Sequence, residues 1–321
     1  MAAFRERRVA VNGVELHVLE AGTRGDPLVL LSHGFPEGAW SWRHQLGPLA
    51  AAGYHVVAPY QRGYGRSSLP TEVSDYGIGE LTGDLVGLIE DCGHEQAVLV
   101  GHDWGALIAW DMAKLHPQRL RAVVGVSVPF VQWPAPPTQL FKMVHGDRFF
   151  YMSYFQDVGP AERELEADIA NTMATVLWGA SGEGFRPPTT QLPAAGTGFL
   201  TQMAPAPALP WSWLDEAEMR RYVDSFEHSG FFGPISYYRN LDANYELAKG
   251  LGPERVTMPS YFIGGSADPV LVMDPTGVER LAVLPDFRGH VLLEGCGHWT
   301  QQERPQAFND ALLGFLATLD A

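Results

Sequence analysis

Cysteine, basic residues and long apolar runs are all scarce in this sequence. Cys92 and Cys296 are the only thiols in 321 residues, which argues against a disulfide framework, and neither has the spacing of a metal ligand. The 22 basic residues against 37 acidic ones give a formal net charge of -15, which disfavours nucleic acid and anionic membranes as partners. No apolar run approaches the roughly 18 residues of a membrane span. The N-terminal segment lacks an apolar signal core, so a cytoplasmic protein is expected.

Short apolar runs that alternate with helix-like segments indicate an α/β fold with a mostly parallel sheet. Between the runs, residues 77–91 place apolar side chains at the spacing that buries one face of a helix. Eight strands are predicted near residues 9–11, 16–19, 28–31, 55–59, 97–100, 123–128, 261–263 and 291–293.

The alternation stops after the sixth predicted strand. Residues 131–249 are rich in aromatic residues, Met and Pro, with helix-like stretches at 161–175 and 217–227, and the strand pattern returns at 261–263. We therefore predict a helical cap inserted into the α/β domain, with the core at 1–130 and 251–321 and the cap at 131–250. The proline-rich stretch 186–210 has few regular signals, which is consistent with a long loop across the cap or with disorder.

The most informative motif is Gly101-His102-Asp103-Trp104-Gly105, which lies between an apolar strand and a helix-like segment. This is the setting of a nucleophile elbow, in which a sharp turn lifts one side chain above the sheet at the start of a helix. The two glycines permit close backbone packing on either side of the turn. The side chain lifted here belongs to Asp103, where hydrolases of this pattern usually have serine.

A carboxylate nucleophile changes the predicted reaction. Serine that displaced a group from saturated carbon would leave an ether, which water does not easily cleave. Attack by Asp103 leaves an alkyl ester, which water activated by a histidine can hydrolyse. The motif thus predicts a substrate with an electrophilic saturated carbon, such as an epoxide or an alkyl halide.

Chain order selects the other catalytic candidates, because hydrolases with such an elbow place an acid after a later strand and a histidine near the end. Asp268 and His298 each follow a predicted strand in that order. An isolated Asp in that position is more often a helix cap, so the assignment depends on the order of all three groups. An oxyanion hole would need backbone N–H donors. Pro36 has none, so Phe35 and Trp104 are the candidates.

Seven motifs spread over nearly the whole chain form a recognisable combination: His33-Gly34-Phe35-Pro36-Glu37, Ser41-Trp42-Arg43, Arg62-Gly63-Tyr64-Gly65, Gly101-His102-Asp103-Trp104-Gly105, residues 151–156, residues 233–240, and Gly297-His298-Trp299-Thr300-Gln301. On these motifs the chain resembles the cap-bearing soluble and microbial epoxide hydrolases of the α/β-hydrolase fold. This resemblance implies an eight-stranded, mostly parallel sheet with an inserted helical cap. It also implies a nucleophile at Asp103, a charge-relay pair at His298 and Asp268, and an oxyanion hole at Phe35 and Trp104.

The resemblance further implies two ring-opening acids in the cap, Tyr151 rather than Tyr154 and Tyr238 rather than Tyr237. A phenol with a pKa near 10 can donate a proton to a leaving alkoxide while it stays neutral at pH 7. One position departs from the family pattern, because Tyr60 stands where members commonly have Asp. The resemblance implies no metal and no organic cofactor.

The expected activity is hydrolysis of a small apolar epoxide to a vicinal diol through an ester on Asp103. Two alternatives remain open from the sequence. A haloalkane dehalogenase would share the elbow and the hydrolytic step but would need halide-stabilising donors, and a ligand-binding protein on the same fold would lack the chemistry. A homodimer through the cap is also left open.

Overall fold

The computed structural model describes residues 4–186, 194 and 196–319. One sheet of eight strands runs in the order β1-β2-β4-β3-β5-β6-β7-β8. β2 pairs antiparallel with β1 and β4, and the other pairings are parallel, which confirms the predicted mostly parallel sheet. The strands are β1 (Arg5–Val11), β2 (Val14–Ala21), β3 (Leu28–Ser32), β4 (His55–Pro59), β5 (Ala97–His102), β6 (Leu120–Val126), β7 (Ser260–Gly265) and β8 (Phe287–Leu293).

Helices lie before, within and after the predicted insertion. The first group is α1 (Arg43–Ala51), α2 (Ile78–Asp91) and α3 (Trp104–Leu115). The cap contains α4 (Pro137–His145), α5 (Tyr151–Tyr154), α6 (Pro160–Glu166), α7 (Ile169–Gly179), α8 (Glu216–Ser229), α9 (Phe232–Arg239) and α10 (Leu241–Ala248). The last group is α11 (Pro269–Met273), α12 (Gly277–Arg280), α13 (Thr300–Glu303) and α14 (Pro305–Ala317). Short 3-10 helices occur at Ala39–Trp42, Val73–Tyr76, Pro117–Arg119, Leu200–Gln202, Pro253–Arg255 and Leu281–Val283.

The centre of the sheet is apolar on both faces. Every residue of β3, β4 and β5 is buried, as expected for parallel strands that helices cover on both sides. The helix predicted at 77–91 begins at Ile78 and buries the apolar face that its spacing indicated. Within the described residues, none of the helices has both the length and the apolar composition to cross a membrane.

The structure corrects two predicted elements. The sixth strand ends at Val126 rather than at 128, because Ser127 has a φ of 66° and its hydroxyl donates to the His298 carbonyl at 2.8 Å. The stretch 161–175 is not one helix. Asp168 interrupts it with a φ of -152° and caps α7 by accepting the Asn171 N–H at 3.0 Å.

The helical insertion extends from Pro137 to Ala248. We propose the division of the chain after residues 130 and 250, since no regular element of the core lies between those positions. In the stretch predicted as a long loop or as disorder, residues 187–193 and 195 lie outside the described residues. The rest of that stretch carries the 3-10 helix Leu200–Gln202.

Candidate active site

The elbow around Asp103 joins β5 to α3 by a turn that only small neighbours allow. Asp103 has a φ of 52° and a ψ of -116°, an unusual backbone conformation for a residue with a side chain. A Cβ on Gly101 would lie 2.0 Å from the Gly105 carbonyl oxygen, and one on Gly105 would lie 2.0 Å from the Ser32 carbonyl oxygen. The glycines of the motif therefore let β3, β5 and α3 meet directly beneath the carboxylate.

The loop after β3 reaches the same carboxylate. The Phe35 N–H donates to Asp103 Oδ1 at 2.7 Å, so the predicted donor faces the predicted nucleophile. A Cβ on Gly34 would lie 2.4 Å from that oxygen, so only glycine allows the backbone to approach this closely. Trp104 is the first residue of α3, and N–H groups in the first turn of a helix have no partner within the helix. The Trp104 amide thus remains the candidate for the second donor.

The structure places the acid and base candidates beside Asp103. His298 Nδ1 lies 3.0 Å from Asp268 Oδ1, and His298 Nε2 lies 3.5 Å from Asp103 Oδ2. Asp268 is fully buried and also accepts the Val270 N–H at 2.9 Å as the N-cap of α11. Both interpretations of this aspartate, helix cap and partner of histidine, therefore describe the same side chain.

The charges of this group are coupled. Burial alone would raise the pKa of Asp103, but the hydrogen bond and positive charge of His298 outweigh it, and the pKa of Asp103 falls below its ordinary value. Burial lowers the pKa of His298, but the charge of Asp268 and the hydrogen bonds to both aspartates raise it well above the ordinary value. Asp103 is consequently ionised at neutral pH, as a nucleophile must be.

A second layer of polar side chains fixes the backbone of His298. Its carbonyl oxygen accepts the Ser127 hydroxyl at 2.8 Å and lies 2.8 Å from His102 Nε2. His102 Nδ1 lies 2.6 Å from the buried carboxylate of Glu37. No sequence pattern selects Ser127, because its contact depends on a positive φ at the end of β6 that brings its hydroxyl to a residue 171 positions away.

Two of the four candidate tyrosines lie in the wall of the cavity at Asp103. Tyr151 and Tyr238 line the cavity that contains Asp103, and their ring centroids are 5.9 Å apart. Tyr154 and Tyr237 do not line that cavity; the Tyr237 hydroxyl donates to a core backbone carbonyl at 2.9 Å. Burial, and then the charge of Asp103, raise the pKa of both Tyr151 and Tyr238, so both phenols are protonated at neutral pH.

Two cavities meet at these groups. The larger has a volume of about 350 Å³ and the smaller about 200 Å³. The residues that line both are Asp103, Tyr151, Tyr238, Val270 and Met273. Elsewhere the walls are mostly apolar, with Phe35, Phe149, Val176, Phe199 and Met203 in the larger cavity and Leu107, Val128, Val131, Trp133 and Phe141 in the smaller. The catalytic candidates thus lie between two apolar compartments of unequal size.

Two further features bear on the sequence predictions. In the part of the chain that the structure describes, no cluster of three or more His, Cys, Asp or Glu side chains is arranged to hold a metal ion.

Tyr60, the departure from the family pattern, stacks on the His17 ring with centroids 5.1 Å apart. Its ring packs against Gly38 and Gly65, where an added Cβ would lie within 3 Å of it. Tyr60 therefore packs in the loop and does not line the catalytic cavities.

Comparisons with known proteins agree with this geometry. The family model for the α/β-hydrolase fold matches residues 27–305. Epoxide hydrolase A of Mycobacterium tuberculosis is 45% identical over 322 residues, covering 100% of this chain and 99% of that protein. The crystal structure of epoxide hydrolase A from Mycobacterium thermoresistibile has a TM-score of 0.91 at 46% identity and covers 98% of each chain. An epoxide hydrolase from an endophytic Streptomyces has a TM-score of 0.93 at 39% identity, covering 99% of this chain and 96% of the other. The chain belongs to the epoxide hydrolases of the α/β-hydrolase fold.

Proposed function

We propose that this epoxide hydrolase converts an apolar epoxide and water to a vicinal diol through a covalent ester on Asp103. The observation that carries this proposal is the convergence of three kinds of group on one cavity. An ionised carboxylate serves as nucleophile, a histidine paired with Asp268 serves as base, and the two phenols serve as acids. The flanking compartments supply an apolar environment for the substituents of the ring.

In the first step, a carboxylate oxygen of Asp103 attacks the less hindered or more activated ring carbon. The C–O bond of the epoxide breaks and its electron pair goes to the ring oxygen. Tyr151 and Tyr238 hold that oxygen and one of them supplies the proton, which gives a hydroxyalkyl ester. The phenol protons are available because the pKa of each tyrosine lies above its ordinary value, so neither hydroxyl is ionised before the substrate binds.

In the second step, His298 takes a proton from water, and the resulting hydroxide attacks the carbonyl carbon of the Asp103 ester. The negative charge on the carbonyl oxygen is stabilised by the Phe35 N–H, which already donates to Asp103 Oδ1, and by the Trp104 N–H. Collapse of the intermediate expels the diol as an alkoxide, which takes the proton from the histidine. The carboxyl proton left on Asp103 then returns, through solvent, to the tyrosine that gave up its proton in the first step, and the starting state is restored. Esterification removes the charge of Asp103 that raises the pKa of His298, so the imidazole becomes a competent base when water must be activated.

The paired phenols favour an epoxide over an alkyl halide. An alkoxide leaving group needs a proton, whereas halide does not, and burial of two neutral phenols at the nucleophile serves the first reaction. A ligand-binding protein without catalysis would have no need for the coupled charges of Asp103, His298 and Asp268.

The intact mass of a His298→Gln variant tests the proposal, because loss of the base should trap the ester. The variant is exposed in separate tubes to epoxides, styrene oxide and trans-stilbene oxide, and to alkyl halides, benzyl chloride and bromoethane. A gain of one whole epoxide, mapped to Asp103 and absent from the double variant with Asp103→Asn, is expected. A gain of one alkyl group with halide loss would instead show displacement of halide at Asp103, and the absence of an adduct from either panel would contradict the covalent mechanism.

The proposal extends to the shape of the substrate, the cellular location of the protein and its oligomeric state. The unequal compartments suit an epoxide with an apolar substituent on each carbon, the longer one in the larger cavity. The scarcity of cysteine is consistent with a cytoplasmic protein, which cell fractionation would test. Analytical ultracentrifugation would distinguish a monomer from a homodimer through the cap.

A further inference from the structure

Beyond the groups that face the substrate, Glu303 joins two backbone segments at the edge of the active site. The residue is only 6% exposed. Oε2 accepts the Gly182 N–H at 2.9 Å and the Gly297 N–H at 3.0 Å, and Oε1 accepts the Trp299 N–H at 3.1 Å. Three backbone donors on one buried carboxylate form a strong arrangement, because hydrogen bonds to an ionised acceptor are shorter and stronger than neutral ones.

The segments that meet there have different functions. Residues 294–299, the histidine loop, follow β8 and carry His298. Residues 180–184, the cap strap, follow α7, and two of them, Ala180 and Gly184, line the larger cavity. Glu303 therefore connects the segment that carries the proposed base to the segment that borders the substrate.

The two segments are in direct backbone contact. A Cβ on Gly297 would lie 2.2 Å from the Gly182 nitrogen, and the His298 N–H donates to the Ala180 carbonyl at 2.9 Å. The Trp299 indole N–H donates to the Leu177 carbonyl in α7 at 2.6 Å. Ser127 and His102 support the His298 carbonyl, whereas the amides on both sides of His298, those of Gly297 and Trp299, donate to Glu303.

We propose that Glu303 is a positioning residue for ester hydrolysis: it clamps the histidine loop to the cap strap and so holds the His298 imidazole where it can activate water. This inference rests on the proposed function, since it assigns Glu303 to the second step only. Asp103 attacks the epoxide and the cap tyrosines protonate it, and none of these groups contacts Glu303. Loss of the clamp should therefore slow hydrolysis of the ester more than its formation.

Glu303→Gln is the first test, because it keeps the shape of the side chain and changes its hydrogen bonding. Glutamine has one acceptor oxygen and an NH₂ donor, so at least one of the three amides loses its acceptor and faces another donor. A displacement of His298 by about 1 Å should lower the rate of ester hydrolysis by roughly 10²-fold. Ester formation should stay within a few-fold of the wild-type rate, so the ester should accumulate during turnover.

Asn244→Ala is the matched control. Asn244 Oδ1, on α10 of the cap, accepts the Ile78 N–H of the core at 2.8 Å, so it is another buried side chain that joins cap and core through a backbone amide. It lines neither cavity at Asp103. This variant should lose stability without accumulation of the ester, which separates a general loosening of the cap from an effect on His298.

The measurement is quenched-flow mass spectrometry of both variants and the wild type, with whichever of styrene oxide and trans-stilbene oxide labels His298→Gln. Accumulated ester in Glu303→Gln but not in Asn244→Ala supports the clamp. If ester formation and ester hydrolysis slow equally, or if the ratio of their rates is the same as in the wild type, the clamp is contradicted. If His298→Gln itself forms no ester, the proposed function fails instead, so the two failures are distinguishable.

Hydrogen exchange of the wild-type protein tests the clamp without any substitution, and decides the matter if Glu303→Gln does not fold. The amides of Gly182, Gly297 and Trp299 share one acceptor group, so they should be protected and should open together. Exchange at the rates of exposed amides, or at three unrelated rates, would show that the carboxylate does not hold the two segments together.

Discussion

A Cβ atom on Gly34 would lie 2.3 Å from the Cβ of Asp103, so the backbone of the loop after β3 lies directly against the nucleophile. This contact brings the Phe35 N–H within 2.7 Å of the Asp103 carboxylate. The same approach that positions the donor leaves no room for a side chain. Because residue 34 has no side chain, the Phe35 amide and the Asp103 carboxylate, which are 68 positions apart in the chain, come within hydrogen-bonding distance.

Gly34→Ala should reduce activity by about 10²-fold or more, because the added methyl group must displace either Asp103 or the Phe35 amide. Steady-state diol formation measures the loss, and circular dichroism shows whether the fold is retained. Gly314→Ala is the control, since no atom lies within 4 Å of its added Cβ in α14. That variant should keep full activity and gain roughly 0.5–1 kcal/mol of stability. Normal activity in Gly34→Ala would contradict the proposed oxyanion donor.

Replacing both Tyr151 and Tyr238 with Phe should nearly abolish ring opening while the protein stays folded, because no other acid is assigned to the leaving oxygen. Single-turnover formation of the ester is the informative measurement. The matched pair, Tyr154→Phe and Tyr237→Phe, should retain turnover. Tyr237→Phe should lose about 1 kcal/mol of stability, since its hydroxyl donates to a buried carbonyl. Near-normal turnover in the first double variant would refute the assignment.

Asp268→Asn should shift the pH profile of ester hydrolysis. The charge of Asp268 raises the pKa of His298 against the effect of burial, and only the neutral imidazole can accept a proton from water. Removal of that charge should move the acid limb of the hydrolysis step to lower pH, and the rate on the plateau should fall because the imidazole loses its partner. Single-turnover hydrolysis across pH tests this, and an unmoved acid limb would argue against the pair.

The same substitution should change stability with a defined sign. Since the pKa of His298 is raised in the folded protein above the ordinary 6.5, its favourable interactions are complete below about pH 6.5 and are lost as pH rises through the raised value. The wild type should therefore lose more free energy of unfolding than Asp268→Asn when pH increases over that range. Urea titrations at a series of pH values would reveal the difference.

Val131→Phe should restrict the smaller compartment, because Val131 lines that cavity and not the larger one. We expect kcat/KM for trans-stilbene oxide to fall at least tenfold, equivalent to about 1.4 kcal/mol of binding to the transition state. Styrene oxide, with one substituent for the larger compartment, should be affected less. Val144→Phe is the control, because Val144 is 71% exposed on α4 and lines neither cavity. Equal losses for the two epoxides would show that the smaller cavity does not bind a substituent.

Local patterns in the sequence were enough to predict the strands of the core and the elbow that carries Asp103. Local patterns suffice for strands, because buried strands need apolar runs whatever their partners are, and all eight predicted strands occur in the sheet. The elbow is also local, since its glycines and Asp103 lie within five consecutive residues. Asp268 and His298 could be selected because the order of strands fixes which loops reach the carboxyl edge of the sheet.

Other features depend on contacts between segments that are distant in the chain, and no local pattern predicts them. The backbone break at Asp168, the end of β6 at Ser127 and the support of the His298 carbonyl follow from hydrogen bonds that no periodicity records. The residues alone offered two tyrosines at each cap position, and the resemblance selected one of each; the packing of α5 and α9 on the core is what puts Tyr151 and Tyr238, but not Tyr154 and Tyr237, in the wall of the cavity that contains Asp103. The division of the apolar space into two compartments, and the three amides that meet on Glu303, arise because side-chain direction is set by the whole fold and not by neighbours in the chain.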